Sequence, residues 1–236
     1  MAYSITGLRK AYGEQIILDG IDLDFPSGSV SVVLGPSGCG KTTLLNIMAG
    51  LDKDYEGLLM GFADARPAYA FQEDRLLPWL SASENVAFVL QRFMDRSRRT
   101  VAAEEALADV GLLADANRLP AALSGGMRKR VALARAFAYP SDVLLMDEPF
   151  SALDLKTRIA VMDLFLELRR QSGRTAVLVT HDVREAIYLG DHVTTLSDKP
   201  STIRDTINLN LPKEDRSYAS VAAADIEARL YGSILA

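Results

Sequence analysis

Gly35-Pro36-Ser37-Gly38-Cys39-Gly40-Lys41-Thr42 fits the pattern G-x-x-x-x-G-K-[ST]. That spacing suits a cradle for phosphate. Successive backbone N–H groups of a glycine-rich turn point inward, and the helix that follows adds the positive end of its dipole. Lys41 is long enough to reach the outer phosphates of a triphosphate such as ATP, and the Thr42 hydroxyl is a hard oxygen suited to Mg²⁺. Thr43 is the next hydroxyl and is counted with them. A second group of residues has the same chemistry in outline: Ser124, Gly125 and Gly126 stand at a helix start, where free N–H groups and a hydroxyl can face an anion. Between and beyond these lie Gln72, whose neutral amide can touch a metal or a water without a charge penalty, and Asp147-Glu148, two carboxylates at the end of an apolar run. The two histidines are His181 and His192. A lone histidine is usually structural, and His192 is read that way.

These groups need elements to hold them. Val30 to Leu34 is an apolar run that enters the glycine-rich turn, and residues 42 to 50 follow as a helix with Gly50 as its stop. Val143 to Met146 reads as a strand buried on both faces, and Asp147 sits at its end, where open parallel sheets place ligand groups; the plainer alternative is a strand-end turn residue. Thr175 to Thr180 is a strand ending just before His181, Asp182 to Leu189 a helix, and His192 to Leu196 another strand. Ile16 to Phe25 alternates and reads as a strand closed by Pro26-Ser-Gly28. Strands alternating with helices mean an α/β fold. Residues 51 to 71 read as short and irregular. Ser83 to about Gly111 reads as helical with Ser83 as a simple cap, and a helix follows the loop at Leu123. The stretch from about 75 to 140 is thus a helical lobe between two sheet strands. Helix 155–171, an extended run at 203–211 and an alanine-rich helix from about Ser217 complete the chain.

The 236 residues, 49% hydrophobic and 24% charged, suit a soluble globular protein with a full core. The net charge of −5 argues against a general nucleic-acid binder. No run approaches the ~18 apolar residues of a membrane span, and Met1-Ala-Tyr-Ser-Ile-Thr lacks the basic and apolar regions of a secretion signal. A single cysteine, Cys39, fits a reducing compartment. Its place in the glycine-rich loop predicts either a reactive thiol, lowered in pKa by the helix start and able to block ATP binding when alkylated, or a small filler.

The order of glycine-rich loop, Gln72, Leu123-Ser-Gly-Gly126, Val143-Leu-Leu-Met-Asp-Glu148 and His181 resembles the ATP-binding-cassette (ABC) ATPases from about residue 3 to 211. The resemblance implies a P-loop NTPase of ABC type, with a RecA-like core, an N-terminal antiparallel β-subdomain and a helical subdomain. It implies ATP and Mg²⁺ as ligands, with Thr42, Gln72 and Asp147 at the metal and Glu148 as general base. His181 stands at the switch position beside the γ-phosphate, so that Glu148, His181 and Lys41 form the expected catalytic set. Gln72 falls in the loop that senses nucleotide and links it to the membrane partner. Tyr12 matches the aromatic that stacks on adenine, the alternative being a strand-edge aromatic. Ser124, Gly125 and Gly126 would close over the ATP of a second copy in a two-fold sandwich dimer, and Ser151-Ala-Leu-Asp154 resembles the loop joining the two sites. Met127 stands where many members have glutamine, so only Ser124 and the backbone are expected to make contact there.

Phe71-Gln-Glu-Asp-Arg-Leu-Leu-Pro-Trp79 and Leu-Ser-Gly-Gly-Met-Arg128 resemble the nitrate, sulfonate and taurine importer group. This implies transmembrane permease subunits as partners, an indirect solute-binding protein and a place on the cytoplasmic face of a bacterial membrane. Leu76, Leu77 and Trp79 read either as a seat for a permease helix or as packing of the helical lobe. Only 21 residues separate Gly50 from Gln72, shorter than the strand-turn-strand usual in the family. The chain is expected to be one ABC ATPase domain over 1–236, with the helical subdomain at about 75–140 and a C-terminal extension at about 200–236. The rivals are an exporter or lipid-transport ATPase of the same fold, and a soluble ABC ATPase acting on DNA or ribosomes.

Overall fold

The computed structural model describes residues 3–62, 65–218 and 220–235. Three strands carry residues buried at every position: β3 (Val30–Leu34), β6 (Val143–Asp147) and β7 (Thr175–Thr180). Such runs need cover on both faces, which a parallel sheet flanked by helices supplies. They form the middle of a six-stranded sheet of order β5-β6-β7-β3-β8-β9, with β5 (Pro67–Ala70), β8 (His192–Leu196) and β9 (Ile203–Asn208) outside them. All pairs are parallel except the last, β8 with β9. Alternation along each central strand divides the core. Val32, Leu34, Leu144, Met146 and Leu178 face one side, packed with Phe165 of α5 (Leu155–Ser172) and Ile187 of α6 (Val183–Leu189). Val33, Leu145, Val177 and Val179 face the other, with Leu44 and Ile47 of α1 (Lys41–Met48).

On that second side lies a three-stranded antiparallel sheet of order β2-β1-β4, formed by β1 (Tyr3–Tyr12), β2 (Gln15–Phe25) and β4 (Glu56–Met60). Residues 51–71, expected to be irregular, therefore contain two strands, and these belong to different sheets. β4 pairs with β1, whereas β5 pairs with β6 of the parallel sheet. Four of the five residues of β4 are exposed, so its strand character comes from pairing with β1 rather than from a buried apolar pattern.

The helical lobe comprises α2 (Ala82–Val89), α3 (Arg96–Asp109) and α4 (Gly125–Ala138), packed around Val86, Leu107 and Val131. The cap of α2 is Ser81, not Ser83. Ser81 Oγ accepts from Glu84 N and the Glu84 carboxylate accepts from Ser81 N, a reciprocal capping box. Asn85 is fully buried. Its amide donates to the carbonyls of Leu77, Leu80 and Ser81, and its oxygen accepts from Leu77 N, so it fixes the turn before the helix. Within that turn Leu76 packs into the lobe, while Trp79 is 70% exposed. The C-terminal helix α7 (Ala224–Leu235) begins later than expected and packs against α6, β8 and β9, with Leu230 buried in the core.

Candidate functional site

Parallel strands β3, β6 and β7 end side by side, and in an open α/β sheet that edge is where ligands bind. After β3 comes the glycine-rich loop. Gly40 has φ +111°, and a Cβ there would lie 2.8 Å from Ile17 Cγ2 and 3.0 Å from Leu18 Cδ2. Only glycine fits that turn. Lys41 is buried and folds back on its own loop, its Nζ donating to the carbonyls of Gly35 at 2.7 Å and Pro36 at 2.8 Å. Pro36 is half-buried, while Ser37 and Gly38 are exposed on the loop's outer turn. Thr42 is exposed and Thr43 half-buried in the first turn of α1.

The buried Asp147 lies across from this turn and accepts a hydrogen bond from Thr42 Oγ1 at 2.8 Å. Burial pushes its carboxyl up, and the Glu148 charge adds to that, against the pull of the Thr42 bond and Lys41. A carboxylate so placed gains from a nearby cation. The donors here suit Mg²⁺: a carboxylate, a hydroxyl and the Gln72 amide, with positions left for phosphate oxygens and water. Among the described residues no three His, Cys, Asp or Glu side chains stand together to hold a metal unaided.

Glu148 occupies left-handed backbone at φ +41°, uncommon for a residue with a side chain. It is held there by Glu148 N donating to Val179 O at 3.0 Å and by Ser151 Oγ donating to Glu148 O at 2.9 Å. One carboxylate oxygen lies 3.0 Å from His181 Nδ1 and the other accepts from Gln72 Nε2 at 3.4 Å. Gln72, Glu148 and His181 are thus joined at the sheet edge beside Thr42 and Asp147. A cleft of ≈ 990 Å³, lined by Thr42, Asp52, Gln72, Arg75 and Asp147 among others, adjoins them. This arrangement can hold a phosphate chain, place a hard cation on it and orient a water toward its end.

Tyr12 and the 124–126 segment lie outside this hydrogen-bonded set. Tyr12 ends β1 with half its surface exposed. Its hydroxyl donates to Asp52 at 2.9 Å, and Lys10 Nζ sits 4.6 Å from the ring centre. Ser124 caps α4, accepting from Met127 N at 3.3 Å, and Ser124 and Gly125 are exposed.

The reactive-thiol expectation for Cys39 fails. The thiol is 2% exposed, belongs to the core cluster with Leu44 and Leu196, and burial pushes its pKa up despite nearby Lys41. Sequence reasoning also missed Ser201, fully buried, whose hydroxyl donates to Cys39 O and holds the loop from behind. No local pattern signals a contact between residues 162 positions apart.

Residues 18–151 match the ABC transporter family. The chain belongs to this family and is an ABC-type ATPase. Among its relatives, the aliphatic sulfonates import ATP-binding protein SsuB 2 of Burkholderia cenocepacia is 45% identical over 91% of this chain and 81% of its own length. The corresponding SsuB 1 protein of Rhizobium johnstonii is 44% identical over 99% of this chain and 86% of its own. Among solved structures, a dimeric ATP-binding cassette in a post-hydrolysis state with ADP and Pi is 32% identical, with a TM-score of 0.77 over 89% of this chain and all of that one.

Proposed function

We propose that this chain is the ATP-hydrolysing subunit of a bacterial importer for aliphatic sulfonates. The observation that carries this reading is similarity over nearly the whole chain to relatives named for aliphatic sulfonate import. The chain is read as one ATPase domain over residues 1–236, with its helical lobe at about 75–140 and an extension at about 200–236. It works as a homodimer on the cytoplasmic face of the membrane, beneath permease subunits that a solute-binding protein supplies. Among the described residues no helix is long and apolar enough to cross a membrane, so the span belongs to the permease.

In this reading, backbone N–H groups of residues 35–43 take the phosphates, and Lys41 exchanges its two loop carbonyls for the β- and γ-phosphates. Tyr12 stacks on adenine. Thr42, Asp147 and Gln72 would hold Mg²⁺, which would supply positive charge to neutralise the phosphates. A water lies against Glu148, oriented by His181 and Gln72. As its oxygen bonds to the γ-phosphorus and the bond to the bridging oxygen breaks, its proton passes to Glu148. Ser124, Gly125 and Gly126 close over the ATP of the second copy, so ATP draws two chains together and hydrolysis releases them.

The test is uptake of a labelled alkanesulfonate in a strain lacking this chain, with copurification of a tagged copy from gently solubilised membranes. Lost uptake, restored by the wild type but not by Glu148→Gln, and a copurifying permease are expected. Unchanged uptake with a permease still attached would assign a different cargo. Recovery with soluble ribosomal or DNA-repair proteins and no permease would overturn the transport reading.

A further inference from the structure

Lys129 is a buried lysine on α4, five residues after the Ser124 cap. Its Nζ donates to Gln72 O at 2.6 Å and lies 3.1 Å from Asp74 Oδ1. Arg135 of the same helix donates to Asp74 O at 2.7 Å and Arg75 O at 2.8 Å. Arg128 lies 3.7 Å from Asp74 Oδ2 and also donates to Leu123 O at 2.7 Å, next to the cap. Three of the four carbonyls of residues 72–75 are therefore held by cations of one helix. The Asp74 side chain, only 17% exposed, is the counter-charge that Lys129 and Arg128 share.

The backbone of this segment is not relaxed. Arg75 has φ +44°, and conformations of that kind persist in a residue with a side chain only where surrounding contacts over-determine them. Here the Arg135 bond to its carbonyl and the seat of its guanidinium 3.8 Å over the Phe71 ring supply those contacts. The segment that bears Gln72 and the helix that bears Ser124 are thus one body, joined by charge-assisted hydrogen bonds, the strong kind.

We propose that Lys129 and Asp74 are positioning residues that lock the Gln72 segment to the Ser124 helix, so that a nucleotide met at Gln72 fixes where Ser124 is presented to the nucleotide of a second copy. This rests on the sandwich-dimer reading above. The lock touches none of the groups at residues 35–43 or Tyr12, and it meets Gln72 only at its backbone carbonyl, so a single chain binds ATP without Mg²⁺ equally well in its absence. What is lost is the link between that binding and pairing, a coupling between two sites carried by a physical contact.

The experiment uses the full chain in a Glu148→Gln background. Affinity for a fluorescent ATP analogue is measured in dilute protein without Mg²⁺, and pairing at saturating Mg-ATP by light scattering across protein concentration. Lys129→Met and Asp74→Asn should leave analogue affinity within twofold and raise the concentration needed for pairing at least tenfold. Lys129→Arg, which keeps the charge, should recover most of the pairing. Should Lys129→Met fail to fold, Asp74→Asn, of nearly the same shape, carries the test. Unimpaired pairing in Asp74→Asn, or affinity and pairing falling together, overturns the proposal. A Glu148→Gln parent that stays monomeric with Mg-ATP overturns the sandwich reading itself, and this inference with it, before any lock variant is made.

Discussion

The loop at 35–42 and the helix start at 124–126 offer the same chemistry, backbone N–H groups at the start of a helix, in opposite settings. The first follows a central sheet strand, is held from behind by Ser201 and encloses its own lysine. Across from it stands Asp147, bonded to Thr42. The second stands exposed on the helical lobe with one side-chain cap, on a helix whose cations further along bond to the Gln72 segment. A site embedded in the sheet can hold its ligand alone. An exposed helix start with a hydroxyl and two glycines offers donors from one side only. In the reading proposed above, one chain carries donors for its own nucleotide at one end and a second, exposed set of donors for its twin's at the other.

The largest expected effect tests where the embedded site's reactivity lies. Glu148→Gln keeps the shape but removes the proton acceptor, and ATP turnover should fall by about 10²–10⁴ with ATP still bound. Steady-state phosphate release beside nucleotide binding checks this; turnover within threefold of wild type would remove Glu148 from the mechanism. Next, in the proposed reading Lys41→Ala would delete charged hydrogen bonds to the phosphates, each worth about 1.5–3 kcal/mol, so ATP affinity should fall tenfold or more. Ser124→Ala is the matching change in the exposed half. It removes a cap worth about 1 kcal/mol and a hydroxyl that only the second copy's nucleotide would meet. ATP affinity of the single chain should hold while ATP-driven pairing weakens. Equal loss of affinity in both variants would break the contrast between a whole site and a half one.

The two settings also explain what the sequence reveals. The loop at 35–42, the cap at Ser124 and the run ending in Asp147-Glu148 are local patterns of glycine, hydroxyl and apolar residues, and each element lies where its pattern predicts. The ABC fold follows from their order. β4 is not legible, because Glu56–Met60 is mostly exposed and owes its strand to β1. β5 has four residues, too few to show a period. The cap of α2 sits two residues before the expected serine, where Ser81 has Glu84 at the capping-box distance. The contacts that stiffen both halves, Ser201 with Cys39 and Lys129 with Gln72 and Asp74, join distant segments and leave no local trace.

A smaller effect separates the sheet edge from its support. Glu185 is buried behind His181 and accepts a hydrogen bond from Thr180. Burial raises its pKa from 4.5 to about 7. The folded state therefore holds this proton where the unfolded chain has lost it. The associated stability is complete below pH 4.5 and is lost as pH rises through about 7, a difference of order 3 kcal/mol. Wild type should lose thermal stability relative to Glu185→Gln between pH 5 and 8, by melting temperature. Parallel curves would mean that Glu185 is ionised throughout.

The smallest expected effect is at Cys39, and it decides how deeply the loop is embedded. A thiol lining the phosphate cradle would react readily, and ATP would shield it. In the structure Cys39 Sγ instead lies 2.9 Å from where a Cβ on Gly35 would stand, beneath the turn, with its side chain in the core and only its backbone near the ligand side. A buried thiol with a raised pKa offers little thiolate and no path for a reagent, so modification must wait for the protein to open. Native protein should label slowly at pH 7.5 and quickly in urea. Cys39→Ala removes one small buried group and should cost about 1 kcal/mol of stability, with ATP affinity within twofold of wild type. Complete labelling of folded protein within minutes, accompanied by loss of ATP binding, would mean that the thiol faces the phosphates and that the loop is more open than its contacts with Ser201, Ile17 and Leu18 imply.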